Sequence, residues 1–177
     1  MGALLAKRGY ALVYGGGKVG LMGEVARAVI AGQGEVIGVI PRQMAEKELA
    51  LKEISELHVV ENMHQRKALM AELADGYIAL PGGIGTLEEI AEILTWSQLG
   101  LHQKPCGLLD VDGYYDSLIA FLDQMVAAHF LHQPHRDMLL VNSDPEALLS
   151  AFETYVPPRA DKAALALEEL HRRGGHA

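Results

Sequence analysis

The sequence predicts an α/β fold, an open parallel sheet with helices on both faces. Three observations carry that expectation. Short apolar runs alternate along the chain with segments whose apolar residues recur every three to four positions. The run Tyr77-Ile78-Ala79-Leu80 is continuously apolar, as a strand buried on both faces is. Two glycine turns, at residues 15–17 and 81–83, each join a strand to a helix. Ligands of open parallel sheets bind beyond such strand ends.

The elements follow in order. Residues 1–8 read as the last turns of a helix, with Leu4 and Leu5 apolar, Lys7 and Arg8 at the end and Gly9 as the stop. Tyr10-Ala11-Leu12-Val13-Tyr14 is a strand, residues 21–30 a helix, and residues 35–40 the next strand. The short connections of this βαβ unit imply parallel strands and a right-handed crossover. Residues 41–53 form a polar loop or short helix with Arg42, Glu46, Lys47 and Glu48. A short strand at 57–60 leads to a helix at 63–73 that opens Met63-His64-Gln65-Arg66-Lys67. After the strand at 77–80, Leu87, Ile90, Ala91 and Leu94 lie on one face of a helix that runs to Leu99. A strand at 105–109 and a helix at 114–128 come next, the helix with Leu118, Phe121, Leu122 and Met125 on one side. A short strand at 139–141 is followed by a helix at 145–155, with Asp144 as N-cap and Pro145 at the first helical position. Residues 1–156 are expected to form a single domain, and 157–177 a polar C-terminal tail.

Composition bounds the function. A chain of 177 residues, half of them hydrophobic, can bury roughly 70% of its unfolded surface. Fifteen basic against 23 acidic residues give a net charge of −8, which argues against nucleic acid as the main partner. The single Cys106 allows no internal disulfide and fits a reducing, cytoplasmic setting. No apolar run reaches about 18 residues, so no membrane span is expected. His64 stands apart from other candidate ligands, so no metal is expected.

The stretch Pro81-Gly82-Gly83-Ile84-Gly85-Thr86-Leu87-Glu88-Glu89 organises the chain. Glycines let a ligand approach main-chain N–H groups, and a helix start offers unpartnered N–H groups at the positive end of its dipole. Phosphate suits that place. A structural reading competes: Thr86 as N-cap and Glu89 at N3 also form a capping box. Gly15-x-Gly17-x-x-Gly20 matches the dinucleotide fingerprint in letters, but Glu35 opens its strand instead of closing it, and Pro41-Arg42 takes the strand end. Two glycine turns at two strand ends suggest a mononucleotide instead. Arg66 and Lys67, at a helix start, suit a phosphate or carboxylate, or else form a solvated face.

Gly-Gly-Gly-x-x-Gly-Leu-Met-Gly at 15–23, Met-His-x-Arg-Lys at 63–67 and Pro-Gly-Gly-x-Gly-Thr-x-x-Glu at 81–89 resemble the LOG ("Lonely Guy") family. Trp96-Ser97-Gln98-Leu99-Gly100 and Asp112-Gly113-Tyr114-Tyr115 are also similar to it. The family comprises cytokinin-activating nucleoside 5′-monophosphate phosphoribohydrolases, often mislabelled lysine decarboxylases. The resemblance implies a Rossmann-like fold and an N-glycosidase that needs no cofactor. It implies a homodimer or larger homo-oligomer. It implies that Arg66 and Glu89 are catalytic, and that Lys67, Gly82, Gly83, Gly85, Thr86 and Glu48 contact the nucleotide. It also implies an N-terminal strand and Gly-Ser-Ser-type turn, which this chain lacks. The alternative is a nucleotide-binding module without hydrolysis, in which Glu89 is only a cap.

Overall fold

The computed structural model describes residues 1–47 and 50–158. The expected contact at Glu48 and most of the expected tail lie outside the described residues. The chain divides into two compact units, Met1–Ala74 and Asp75–Ala177.

The first unit runs α1 (Gly2–Arg8), β1 (Leu12–Tyr14), α2 (Gly20–Ala31), β2 (Val36–Pro41), α3 (Arg42–Glu46), β3 (Glu56–Val60) and α4 (Met63–Leu73). Its sheet has the order β1-β2-β3, all parallel, with Leu12 opposite Val36 and Ile37 opposite Glu56. The central strand β2 is apolar because it is covered on both faces. Val36, Val39 and Ile40 are fully buried, with Ala26 and Val29 of α2. α1 ends where the sequence places its stop, at Gly9 in the left-handed conformation, whose N–H bonds to Ala6 O.

The second unit runs β4 (Tyr77–Ala79), α5 (Ile84–Gln98), β5 (Cys106–Leu109), a 3₁₀ turn (Val111–Gly113), α6 (Asp116–Ala127), α7 (Gln133–Arg136), β6 (Leu139–Asn142) and α8 (Pro145–Glu153). Its sheet has the order β4-β5-β6, again parallel. All four residues of β5 are buried. Burial pushes the Cys106 thiol up to about 12, which makes it inert packing at neutral pH. Asp144 caps α8 as expected, accepting from the N–H groups of Glu146 and Ala147, with Pro145 in the first turn.

Parallel strands alternating with helices in an unclosed sheet match the expected fold class. Three local expectations are corrected. α5 starts at Ile84 with Gly83 as N-cap, three residues before the expected N-cap at Thr86. Its buried side is Ile90, Ile93, Leu94 and Ser97, while Leu87 is exposed. Leu87 shares the stripe of Ile90 and Leu94 by spacing, but it lies in the first turn of α5, where it stays exposed. α6 buries no residue fully, and Phe121 is exposed. The short helix α7 has no apolar periodicity to announce it. Among the described residues, no helix is long and apolar enough to cross a membrane.

Leu148 of α8 is fully buried. Leu148→Ala is expected to destabilise the protein by about 2–5 kcal/mol through lost burial and the cavity left behind. Urea unfolding checks this: the midpoint should fall while the slope stays unchanged.

Candidate active site

In the first unit, β1 ends at Tyr14 and the chain turns through Gly15-Gly16-Gly17 before α2. The turn is tied from the far side by Leu51 N–H, which donates to Gly16 O at 3.0 Å, and by a bridge between Gly17 and Ala50. These bonds return the chain that follows α3 to the glycine turn.

Arg66 sits in the first turn of α4. Asn62 is the N-cap, its Oδ1 accepting from Gln65 N–H at 2.9 Å. Gln65 Oε1 in turn accepts from Glu61 N–H at 3.0 Å. This reciprocal pair fixes the helix start much as a capping box does. The position directs Arg66 onto Gly15. A Cβ at Gly15 would collide with Nη2 of Arg66 and lie 2.9 Å from Cζ and 3.2 Å from Nε. Arg66 is only 7% exposed, and Nη1 lies 3.6 Å from Met63 Sδ. Burying a permanent cation is costly unless charged or polar groups meet it. Lys67, the next residue, is half-buried.

The dinucleotide reading loses its acid here. Glu35 precedes β2 and its carbonyl takes the N–H of Leu12, so it lies at the entry end of the strand. At the exit end, Arg42 pairs with Glu61 at 2.8 Å, which holds the Glu61 carboxyl below its ordinary range. Both side chains are exposed, so the pair adds little stability.

In the second unit, β4 leads through Leu80-Pro81-Gly82 to α5. Gly83 is the N-cap and no side chain caps the helix. The first bond of the helix runs from Leu87 N–H to Gly83 O at 3.1 Å. The N–H groups of Ile84, Gly85 and Thr86 therefore have no partner within the helix. Ile84 is 81% exposed, and nothing lies within 4 Å of where a Cβ would stand on Gly83 or Gly85. The helix start is therefore uncrowded at Gly83 and Gly85. Gly82 is the opposite case, because a Cβ there would collide with Oγ1 of Thr86.

These bounds remove the capping box. Thr86 is the third helical residue and folds back over Gly82. Glu89 lies three residues deeper, about one turn and about 4.5 Å along the axis. It is half-buried, whereas Glu88, about 100° round the helix, is exposed.

Two residues that the sequence reading named only as part of a motif hold this turn. Tyr114 hydroxyl donates to Gly82 O at 2.6 Å and Tyr115 hydroxyl donates to Leu80 O at 2.5 Å. The signal for them was Asp112-Gly113, both with positive φ, directly before the tyrosine pair. Of the expected contacts, the structure places Arg66 and Lys67 on one α4 turn. It places Gly82, Gly83, Gly85, Thr86 and Glu89 along one turn and helix start. Among the described residues, no group of three or more His, Cys, Asp or Glu is gathered to hold a metal.

Such a strand–glycine turn–helix arrangement defines a parallel α/β protein with an open helix N-terminus at a strand end, a place suited to an anion. Comparison with known proteins makes this specific. Residues 22–152 match a family model described as "Possible lysine decarboxylase". The probable cytokinin riboside 5′-monophosphate phosphoribohydrolase LOGL5 of Oryza sativa subsp. japonica is 52% identical over 94% of this chain and 68% of its own length. The cytokinin riboside 5′-monophosphate phosphoribohydrolases LOG3 and LOG1 of Arabidopsis thaliana are 45% and 46% identical, over 98% and 93% of this chain and 81% and 76% of theirs. The chain belongs to the LOG family. Among solved structures, the molybdenum cofactor binding protein of Rippkaea orientalis superposes with a TM-score of 0.64 at 24% identity, over 86% of this chain and 82% of that one. The molybdenum cofactor carrier protein of Chlamydomonas reinhardtii gives 0.64 at 22%, over 86% and 81%. At those identities the likeness speaks for the Rossmann-like fold alone.

The contact between Gly15 and Arg66 yields a test. The obstructed atoms belong to the end of a side chain that is itself buried, so Gly15→Ala should cost about 1–3 kcal/mol. A crystal structure of the variant should show the guanidinium displaced by about 1 Å or more. An unmoved guanidinium would refute the packing described here.

Proposed function

We propose that this chain hydrolyses the N-glycosidic bond of adenine-type nucleoside 5′-monophosphates, AMP or N6-prenylated AMP, to free base and ribose 5-phosphate. One observation carries the reading: relatives 45–52% identical over nearly the whole chain are named cytokinin riboside 5′-monophosphate phosphoribohydrolases, one of them as probable. The open α5 N-terminus supports it, because the substrate's distinguishing group is a terminal phosphate.

Each residue receives a role on chemical grounds. The turn at Gly82, Gly83, Gly85 and Thr86 takes the 5′-phosphate. Breaking the bond between base and ribose builds positive charge on the sugar carbon, as in glycoside hydrolysis. Glu89, one turn below Thr86, orients or deprotonates the attacking water and offsets that charge. Arg66 orients the nucleotide through its phosphate or ribose, with a planar fork of donors suited to either. Lys67 adds a second cation, and Glu48 is assigned a substrate contact by resemblance. The water's oxygen bonds to the ribose carbon, and the base departs with the bonding electrons and a proton. No step calls for a cofactor.

The partners and setting follow the same reading. A homodimer is proposed because Leu87 and Leu99, on α5 and at its end, are exposed apolar residues, with Leu101 just beyond. A cytoplasmic location fits the single buried cysteine and the membrane hydropathy limit. The acidic net charge disfavours nucleic acid and anionic membrane surfaces as partners.

The competing reading is a binding module without hydrolysis, and Glu89→Gln separates the two. Glu89 lies beyond the N-cap region, so the variant should melt within a few degrees of the parent and still bind AMP. It should release adenine at least about 100-fold more slowly. Glu88→Gln should do much less. Adenine release is followed chromatographically; near-parental turnover by Glu89→Gln would remove the catalytic assignment.

A further inference from the structure

We propose that Tyr114 is a positioning residue for the phosphate turn. Its hydroxyl, by holding Gly82 O, fixes the Gly82–Gly83 peptide plane with the N–H of Gly83 turned outward to an anion. The inference rests on the reading of this turn as the phosphate site.

The argument starts from peptide geometry. The described chain has no cis peptide bond, and in a trans peptide the C=O and the following N–H point in opposite directions. A hydrogen bond on Gly82 O therefore sets where Gly83 N–H points. Tyr114 hydroxyl donates that bond at 2.6 Å. Gly83 N–H is thus directed away from Tyr114.

This peptide needs an external hold. It joins two glycines, so no Cβ on either side hinders its rotation. On the Gly83 side there is open space where a Cβ would stand, and on the Gly82 side the Thr86 side chain lies close, so the peptide is packed on one side and open on the other. A flipped peptide would present a carbonyl oxygen where an anion needs a donor. The cost would fall on anion binding far more than on folding.

The neighbouring tyrosine shows the contrast. Tyr115 hydroxyl donates to Leu80 O, but the nitrogen of that peptide belongs to Pro81 and carries no hydrogen. Tyr115 therefore fixes the exit of β4 without aiming a donor. It is buried, its own N–H donates to Asp110 Oδ1 at 2.7 Å, and its ring meets Tyr114 edge-on at 5.1 Å between centroids. Tyr114 is 55% exposed. Removal of its hydroxyl leaves the core untouched.

The test compares the full chain with Tyr114→Phe and Tyr115→Phe. Each is labelled with 15N-glycine and titrated with inorganic phosphate, and kcat and KM for AMP are measured beside the melting temperature. Tyr114→Phe should weaken phosphate binding, read at the Gly83 and Gly85 amides, by roughly 3- to 10-fold, the scale of one hydrogen bond. Its KM should rise by a like factor, with kcat within about twofold of the parent and melting unchanged. Tyr115→Phe should lower the melting temperature. Parental phosphate affinity in Tyr114→Phe would overturn the inference, as would loss of stability without a change in KM. Glycine amides of the parent that ignore phosphate would overturn it too. A parent that releases adenine beside a Tyr114→Phe variant with parental affinity would sink this inference and leave the hydrolase reading standing. Phosphate binding that depends on Tyr114, in a parent that releases no adenine, would do the reverse.

Discussion

Between β4 and α5 the backbone leaves the first N–H groups of the helix without helical partners, while the carbonyl oxygens of Leu80 and Gly82 accept from two tyrosine hydroxyls. Folding normally satisfies every backbone polar group. Here the helix begins on a glycine with no capping side chain, so its first donors have no partner within the helix. The carbonyls of Leu80 and Gly82 are instead taken up by the Tyr114–Tyr115 pair. Thr86 folds so closely over Gly82 that no Cβ fits there. A turn built only to reverse the chain would need none of these features together.

The first unit obeys a related constraint with a side chain. Arg66 is a permanent cation in a nearly buried position, held against the backbone of Gly15. Asn62 and Gln65 set the start of α4 and so determine which helical position faces Gly15. The glycine at 15 is there for lack of a side chain, which differs from the role the dinucleotide fingerprint would give it. The position of Glu35 at the entry of β2 points the same way.

Most of the fold was legible because parallel α/β proteins write their order into alternating apolar runs. β2 and β5 are continuously apolar for the reason that they are covered twice. What stayed illegible depended on tertiary context. Thr86-Leu87-Glu88-Glu89 has the letters of a capping box, yet the helix begins three residues earlier, because Gly83 can serve as N-cap without a side chain. Leu87 fits the apolar stripe by spacing but is exposed, while Ile93 completes the buried face. The tyrosine pair lies more than 30 residues from the carbonyls it holds, a pairing no local pattern reveals. The candidate site residues stand in the sequence as motifs, a glycine turn at each of two strand ends and an Arg-Lys pair at a helix start.

The central claim is that the glycine turn binds the nucleotide by its 5′-phosphate. Calorimetric titration of Glu89→Gln, in which slow turnover leaves the ligand intact, measures this directly with AMP and adenosine side by side. Two or more charge-assisted hydrogen bonds at about 1.5–3 kcal/mol each predict that AMP binds at least about 100-fold more tightly than adenosine. Equal affinities would contradict the account, because the open N-terminus of α5 would then hold no phosphate.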